Sequence, residues 1–304
     1  MISIENIGEN FIEIDKDWWT GCIYDLINEH YINYLHDIYI GVNVSTEIMK
    51  FKHKHPNTKT ILYNLEHKYP QPEPGILLNC SNEWLEYFKY LMQFIDEVWD
   101  FNIENYEYFR DIGCGDKFRF VPLRYTTYFE QFHPKQAPRY DIEFEASIDT
   151  QIRKEMLKIL TSHINGVLKR IDFKICNVES CNTKYLEKLD ARYGLDFPHY
   201  DFPETFNCFR IFEYLCLNIQ PIVWDPYGVT SNEYFGDLAI YIDDFTTPIL
   251  YGITRQEPRK DVAQVFKDWT YTPSAFEEYR KRIVMDFVTR TGTQVPDSVL
   301  APVY

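Results

Sequence analysis

Short apolar runs that alternate with longer, helix-like segments are the feature that most constrains the fold of this chain. In the first 123 residues the runs FIEI, DIYIGVN, KTILYN, EVWDF and FRFVPL are predicted strands, with predicted helices between them. Residues 83–95 place apolar side chains three or four positions apart, which is typical of an amphipathic helix. Repeated strand–helix–strand order predicts parallel βαβ units with right-handed connections. We therefore expect an α/β fold.

The same alternation begins again after residues 133–140, which contain two prolines and little apolar sequence. Predicted strands then lie at 141–147, 170–178, 221–224 and 238–242, and predicted helices at 149–161, 182–192, 208–218 and 274–290. We interpret residues 133–140 as a linker. The predicted organisation is an N-terminal Rossmann-like domain over residues 1–138, a second Rossmann-like domain over 139–272, and a C-terminal helix and tail over 273–304.

Length, charge and cysteine content exclude several classes of protein. A chain of 304 residues with 45% hydrophobic residues can bury two cores of ordinary size. The net charge of −15 disfavours non-specific binding to nucleic acid or to anionic membranes. The seven cysteines include no CxxC pair, which argues against a disulfide framework or a structural zinc site. With no predicted signal peptide and no apolar run of about 18 residues, we expect a cytoplasmic protein without a membrane span.

Motifs of several common enzyme classes are absent from the sequence. It contains no GxxxxGK[ST], no GxGxxG after the first predicted strand, no GxSxG and no HExxH. These absences argue against phosphate-loop NTPases, standard dinucleotide dehydrogenases, α/β-hydrolases and zincins, in that order. We expect neither a bound metal nor a cofactor.

The residues that point most clearly to chemistry lie between 199 and 224, where a polar loop leads into a predicted helix and a buried strand. Arg210 falls in the first turn of that helix, where N–H groups and the helix dipole favour a phosphate. Glu213 follows three positions later, and its carboxylate could accept from both hydroxyls of a ribose. The alternative is an ion pair between Arg210 and Glu213, which would stabilise the helix by about 0.2–0.5 kcal/mol.

Several segments, in order, resemble GT-B-type glycosyltransferases. IFEYLCLNIQPIV resembles their donor-binding helix, turn and strand, and ILYNLEHKYP resembles a strand end of their acceptor domain. EVWDFNIENYEYF, DIEFEASIDTQIRKEMLKIL and LDFPHYD fit the same order, so the likeness covers most of residues 37–245. The resemblance implies two Rossmann-like domains that face a central cleft, with the C-terminal helix crossing back to the first domain. It also implies sugar transfer from a nucleoside-diphosphate sugar, which we expect to be a uridine one.

The resemblance also suggests roles for individual residues. It implies a donor site formed by Ser147, Arg153, His199, Tyr200, Arg210 and Glu213. It implies an acceptor site on loops of the first domain, formed by Trp18, Trp19, Thr20 and Asn64. A base for the acceptor hydroxyl would be found among Asp17, Glu66 and His67, since strand carboxyl ends face the cleft. The family's turn glycine before the last donor-domain strand is replaced here by Asn-Ile-Gln at 218–220.

The sequence leaves two acceptors and one non-enzymatic alternative open. The acceptor is either a glycan or a hydroxymethylated base of phage DNA. The second is kept open because the scarcity of alanine suggests an AT-rich genome, such as that of a phage or of a low-GC bacterium. DNA would require a basic cleft, and the cations that could line it are Lys50, Lys52, Lys54, Lys68, Arg119 and Arg124. The alternative to an enzyme is a nucleotide- or sugar-binding module with the same fold and no turnover.

Overall fold

The computed structural model forms two compact units, each with its own parallel sheet. It describes residues 25–27, 29–31, 38–42, 46–64, 86, 89–133, 137–146, 153–155, 157–160, 173–177, 189–196, 208–225, 235–243 and 247–303. Among the described residues, unit 1 contains those from Leu26 to Leu123 and those from Glu277 onward. Unit 2 contains Asp25 and the residues from Arg124 to Phe276.

Unit 1 is built on four parallel strands in the order β1-β2-β3-β4 among its described residues. The strands are β1 (Ile38–Val42), β2 (Lys59–Asn64), β3 (Glu97–Asp100) and β4 (Phe118–Phe120), with helices α1 (Thr46–Lys54) and α2 (Asn105–Asp111). Continuous apolar runs fit this position because a parallel sheet is covered on both faces. Ile61, Leu62 and Tyr63 of β2 are accordingly all buried. The register pairs Asn64 with Asp100 at the carboxyl ends of β2 and β3.

Unit 2 contains five parallel strands in the order β6-β5-β7-β8-β9 in its described part. They are β5 (Tyr140–Ala146), β6 (Phe173–Asn177), β7 (Ala191–Asp196), β8 (Gln220–Trp224) and β9 (Ile240–Ile242), followed or separated by helices α3 (Cys208–Cys216), α4 (Thr247–Thr254) and α5 (Val262–Thr270). Side chains of the central strands pack with Leu250 and Ile253 of α4 and with Leu157 and Leu160. The prediction of an α/β protein with two Rossmann-like units is thus confirmed.

The last helix, α6 (Pro273–Thr291), begins in unit 2 and belongs to unit 1 from Glu277 onward. The fully buried Arg280 pairs with Glu277 at 2.5 Å and donates from Nε to the carbonyl of Phe120 at 2.6 Å. The residues after α6 were predicted to be a tail, and that prediction is wrong. Residues 297–300 form a 3-10 turn, Val299 is fully buried, and its carbonyl accepts from Arg280 at 3.3 Å.

One predicted helix is wrong at its end, and two helices were not predicted. The helix expected over residues 182–192 cannot include 191 and 192, because they begin β7 and Ala191 pairs with Tyr140 of β5. Sheet pairing with β5 and β8 overrides the helical pattern there. Helices α4 and α5 lie in a region for which no helix was predicted. In the described ranges, none of the helices is both long and apolar enough to cross a membrane.

The two units divide between Leu123 and Arg124, ahead of the boundary expected at 138/139. The backbone N–H of Tyr125 donates to Thr270 Oγ1 of α5 at 2.9 Å, and Arg124 donates to the carbonyl of Tyr271 at 2.8 Å. These two bonds tie the segment after β4 to unit 2. The strand expected at residues 11–14 lies outside the described residues, as does most of the helix expected at 22–35.

Candidate functional site

Helix α3 lies directly against strand β7 because the strand carries a glycine at the crossing. A Cβ on Gly194 would lie 2.6 Å from ring carbons of Tyr214, a distance that no ordinary contact reaches. The Tyr214 ring therefore occupies the space that any other residue at 194 would fill. Its hydroxyl donates to the carbonyl of Leu195 at 3.4 Å. This packing holds α3 beside Asp196, the last residue of β7.

The C-terminus of α3 is closed by Asn218. Asn218 adopts a φ of 62°, the left-handed conformation that asparagine tolerates better than most residues. The N–H of Ile219 donates to the Tyr214 carbonyl at 2.9 Å and that of Asn218 to Leu215 at 3.1 Å, which is the Schellman pattern. The Asn218 side chain also accepts from the N–H of Ala263 at 3.1 Å. The turn that ends α3 therefore forms without a glycine, and the Asn218 side chain anchors α3 to α5.

Five charged residues of unit 2 meet between α3 and the sheet. Glu143 comes from β5, Asp196 from the carboxyl end of β7, and Arg210 and Glu213 from α3, while Arg153 follows β5 in the chain. All are buried except Arg210, which is partly exposed. Arg210 Nε lies 3.4 Å from Asp196 Oδ1, an ion pair without hydrogen-bond geometry. We call these five residues the buried charge cluster.

Arg210 forms an ion pair with Asp196, a residue that the sequence did not suggest as its partner. Arg210 and Arg153 each interact electrostatically with Asp196, and Arg210 also with Glu213. Glu143 Oε2 accepts from the backbone N–H of Asp190 at 3.1 Å. The cluster therefore combines three acidic and two basic side chains over a short distance.

Burial changes the protonation of two members of the buried charge cluster. It raises the pKa of Asp196 to about 6, although the guanidinium groups of Arg210 and Arg153 oppose the rise. Burial raises the pKa of Glu213 to about 8, opposed by Arg210 and reinforced by the carboxylates of Asp196 and Glu143. At neutral pH, Asp196 is therefore mostly ionised and Glu213 mostly protonated.

One carboxyl oxygen of Glu213 is left with unsatisfied hydrogen-bonding capacity among the described residues. Its Oε1 is buried, and among the described residues it has no hydrogen-bond partner. A buried polar atom left without a partner costs about 1–3 kcal/mol, so a ligand group that bonds to it recovers that energy. Arg153 and Arg210 place positive charge in the same cluster. An oxygen that can hydrogen-bond and two positive charges therefore belong to the same cluster.

Many of the predicted site residues lie outside the described part of the chain. They are Asp17, Trp18, Trp19, Thr20, Glu66, His67, Ser147, His199 and Tyr200. Of the predicted donor residues, the structure brings Arg153, Arg210 and Glu213 together. Their contacts with a donor stay a prediction.

Asn64, the remaining predicted acceptor residue, lies in unit 1 inside a buried polar network. Its Nδ2 donates to Asp100 Oδ2 at 2.7 Å. Asp100 Oδ1 also accepts from the N–H of Asn102 at 2.9 Å and from Asn105 Nδ2 at 3.1 Å. These bonds fix the backbone at the carboxyl ends of β2 and β3. Asn64 is fully buried, so its contact with an acceptor stays a prediction.

Two residues of the buried charge cluster were not predicted from sequence. Asp196 ends a parallel strand, and that position is where open α/β sheets bind ligands. This signal could have been used, but the error over residues 182–192 hid the strand. Glu143 lies within the apolar run of β5 and is buried. A carboxylate within a buried strand is unusual, and this was the one signal in the sequence that pointed to it.

Solved structures that are similar to this chain include the following three. The chain is similar to an α1,3-fucosyltransferase at 13% identity, with a TM-score of 0.41 over 98% of this chain and 90% of that chain. It is similar to the glycotransferase of kitacinnamycin at 11% identity, with a TM-score of 0.40 over 88% of this chain and 78% of that chain. The Glycosylation Associate Protein (Gap123) complex from Streptococcus agalactiae gives 12% identity and a TM-score of 0.39 over 90% of this chain.

The chain spans only 57% of the matched Gap123 chain, which is less than two thirds of its length. No family model matches the sequence. No curated protein matches it either. We therefore infer the function from the buried charge cluster and from the parallel sheets that form it, and not from these similar structures.

Proposed function

We propose that the protein is a glycosyltransferase of the GT-B type that takes a sugar from a nucleoside-diphosphate donor, which we expect to be a uridine diphosphate sugar. The observation that carries the proposal is the buried charge cluster of unit 2. It combines Glu213 of α3, whose buried Oε1 has no hydrogen-bond partner among the described residues, with two arginines that act on Asp196 at the carboxyl end of β7. A ribose diol and a diphosphate are the ligand groups that suit those two features.

The roles of the three donor residues follow from their chemistry. The Glu213 carboxyl would hydrogen-bond the ribose hydroxyls. Arg210 and Arg153 would bind the diphosphate, and a guanidinium can do this with two parallel hydrogen bonds. Helix α3 begins at Cys208, so its first N–H groups add donors near the same position.

The reaction would be a displacement at the anomeric carbon of the donor sugar. The bond to the diphosphate breaks as the acceptor oxygen bonds to that carbon, and the acceptor proton leaves to a base. Arg153 and Arg210 would stabilise the charge that develops on the departing diphosphate. The base is expected among Asp17, Glu66 and His67, as the resemblance implies.

For the acceptor, we favour a glycan over phage DNA. Three of the cations that could line a DNA-binding cleft already have partners. Lys52 pairs with Asp96 at 2.7 Å, and Arg119 lies 3.5 Å from Glu97. Arg124 is buried and stacks over Phe276, with 4.1 Å between the guanidinium carbon and the ring centroid. Their charge is thus partly neutralised or withdrawn from solvent, which disfavours phosphate binding.

Titration calorimetry with UDP and with a panel of nucleotide sugars tests the donor site. Glu213→Ala and Arg210→Ala should each weaken binding by about tenfold to a hundredfold, because each loses a charge-assisted or buried hydrogen bond. The control is Glu257→Ala, which changes an exposed glutamate of the same unit and should bind as wild type does. Wild-type affinity in both test variants would contradict the proposal.

Turnover separates the enzyme from a binding module of the same fold. The wild-type protein should slowly hydrolyse its donor when no acceptor is present, and Glu213→Ala should lower this rate by about tenfold to a hundredfold at sub-saturating donor. Tight donor binding with no hydrolysis and no transfer to any glycan or DNA acceptor would favour the binding module.

A further inference from the structure

We propose that the buried charge cluster holds one proton on Glu213, and that the site binds its anionic nucleotide with Glu213 in this neutral form. The inference rests on the proposed function, since it concerns the same donor site. It would make nucleotide affinity depend on pH through a residue that does not itself contact a phosphate.

Three carboxyl groups lie close together in the buried charge cluster, on Glu143, Asp196 and Glu213. An ionised Glu213 would put a third negative charge beside those of Asp196 and Glu143 away from water, which is unfavourable. A proton on Glu213 removes that repulsion.

Of the three carboxyl groups, that of Glu213 has the fewest partners to stabilise its anion. Asp196 has a guanidinium at 3.4 Å, and Glu143 accepts a backbone hydrogen bond at 3.1 Å. Glu213 Oε1 is buried without a hydrogen-bond partner among the described residues, so its anion is the least stabilised of the three. The pKa of Glu213, about 8, is accordingly higher than that of Asp196, about 6.

The charged groups that act on Glu213 come from each neighbouring element of the described part. They are Glu143 on β5, Asp196 on β7 and Arg210 on its own helix, while Arg153 acts on Asp196. The two carboxylates favour the protonated form of Glu213, and Arg210 favours the ionised form. Removing Asp196 should therefore make Glu213 easier to ionise.

The proton matters for binding because a neutral carboxyl group can donate one hydrogen bond and accept others. Such a group fits a diol, which also donates and accepts. It adds no negative charge next to a diphosphate, whereas an ionised Glu213 would repel the ligand. Above about pH 8 the site would have to take up a proton to bind, so the affinity should fall by about tenfold per pH unit.

Measurement of the UDP dissociation constant between pH 6 and 9 tests this inference. Wild-type affinity should be constant up to about pH 8 and then fall, whereas Glu213→Gln, which mimics the neutral carboxyl group, should lack that fall. Any titration of UDP itself affects both proteins, so the ratio of their dissociation constants isolates Glu213. Asp196→Asn should move the start of the fall to lower pH, and the matched control Glu257→Gln should follow wild type.

The rank order of two variants at pH 7 gives a second outcome. Glu213→Gln should bind UDP more tightly than Glu213→Ala, since glutamine keeps a donor and an acceptor. If glutamine is as weak as alanine, and wild-type binding shows no alkaline fall, the ligand requires the carboxylate and the inference is overturned.

The denaturation midpoint in urea separates this inference from the proposed function. Between pH 5 and 8 the wild-type midpoint should decrease relative to that of Glu213→Gln. The reason is that the unfolded chain loses the Glu213 proton at a lower pH than the folded protein does. This measurement needs no ligand. If no nucleotide binds at any pH but the difference appears, the proposed function fails and the proton is still on Glu213. If the midpoints of the two proteins change with pH in the same way, retention of the proton on Glu213 is refuted, whether or not a nucleotide binds.

Discussion

Replacing Gly194 by alanine is expected to displace helix α3 and to weaken nucleotide binding without changing any ligand-binding side chain. The added Cβ would lie 2.6 Å from ring carbons of Tyr214, while carbon atoms normally pack about 3.5–4.0 Å apart. Tyr214 is fully buried and its hydroxyl donates to the carbonyl of Leu195, so its ring cannot swing out into solvent without losing that bond. The ring and the helix that carries it must therefore move by about 1 Å to restore an ordinary contact.

Overpacking of this kind costs about 1–3 kcal/mol in the free energy of unfolding. For a protein domain of roughly 150–250 residues, each kcal/mol lowers Tm by about 2–4 °C. Arg210 and Glu213 lie on the displaced helix. A misplacement of about 1 Å can cost a site up to about a hundredfold, so we expect UDP affinity to fall by at least about tenfold.

Thermal unfolding and UDP titration calorimetry measure both effects. The control is Gly252→Ala in helix α4, where an added Cβ has no atom within 4 Å and should slightly stabilise the helix. Combining Gly194→Ala with Tyr214→Leu should recover part of the loss, since the two positions are in contact. A Gly194→Ala protein with wild-type Tm and UDP affinity would refute the proposed positioning of α3 by Gly194.

Four further predictions concern caps, charges and catalysis. Asn218→Gly and Asn218→Ala both lose the bond to Ala263, but in chemical denaturation alanine should lower the free energy of unfolding by about 1–2 kcal/mol more than glycine, because only alanine is strained at positive φ. Arg280→Ala should cost about 3–5 kcal/mol by leaving Glu277 buried without its cation, and a smaller loss would show that the pair is dispensable. Burial raises the pKa of Glu213 from 4.5 to about 8, so between these pH values Glu213 should lower the wild-type free energy of unfolding by about 1.4 kcal/mol for each pH unit of increase. Glu213→Gln should lack this contribution to the pH dependence. Asp17→Asn should lower kcat with donor binding intact in transfer assays, and near-normal turnover would move the role of base to Glu66 or His67.

The pattern of apolar residues by itself determined much of the local structure. KTILYN was predicted as a strand at 59–64 and is β2 over those residues, and the helix predicted at 208–218 is α3 over Cys208–Cys216. Such segments are predictable because strands buried on both faces require continuous apolar runs and helices require a 3.6-residue period. Helix α5 has its buried side chains at 262, 263, 266 and 270, so its period was also present in the sequence.

Only the tertiary structure decided which charged residues share a site and in which protonation state. Glu143, Asp196 and Glu213 are far apart in the chain, and no periodic pattern links them. They meet because β5 and β7 are neighbours in the sheet and because Gly194 lets α3 lie against β7. The pKa of Glu213 depends on burial and on the charges around it, and both follow from distances in space that the order of residues does not specify.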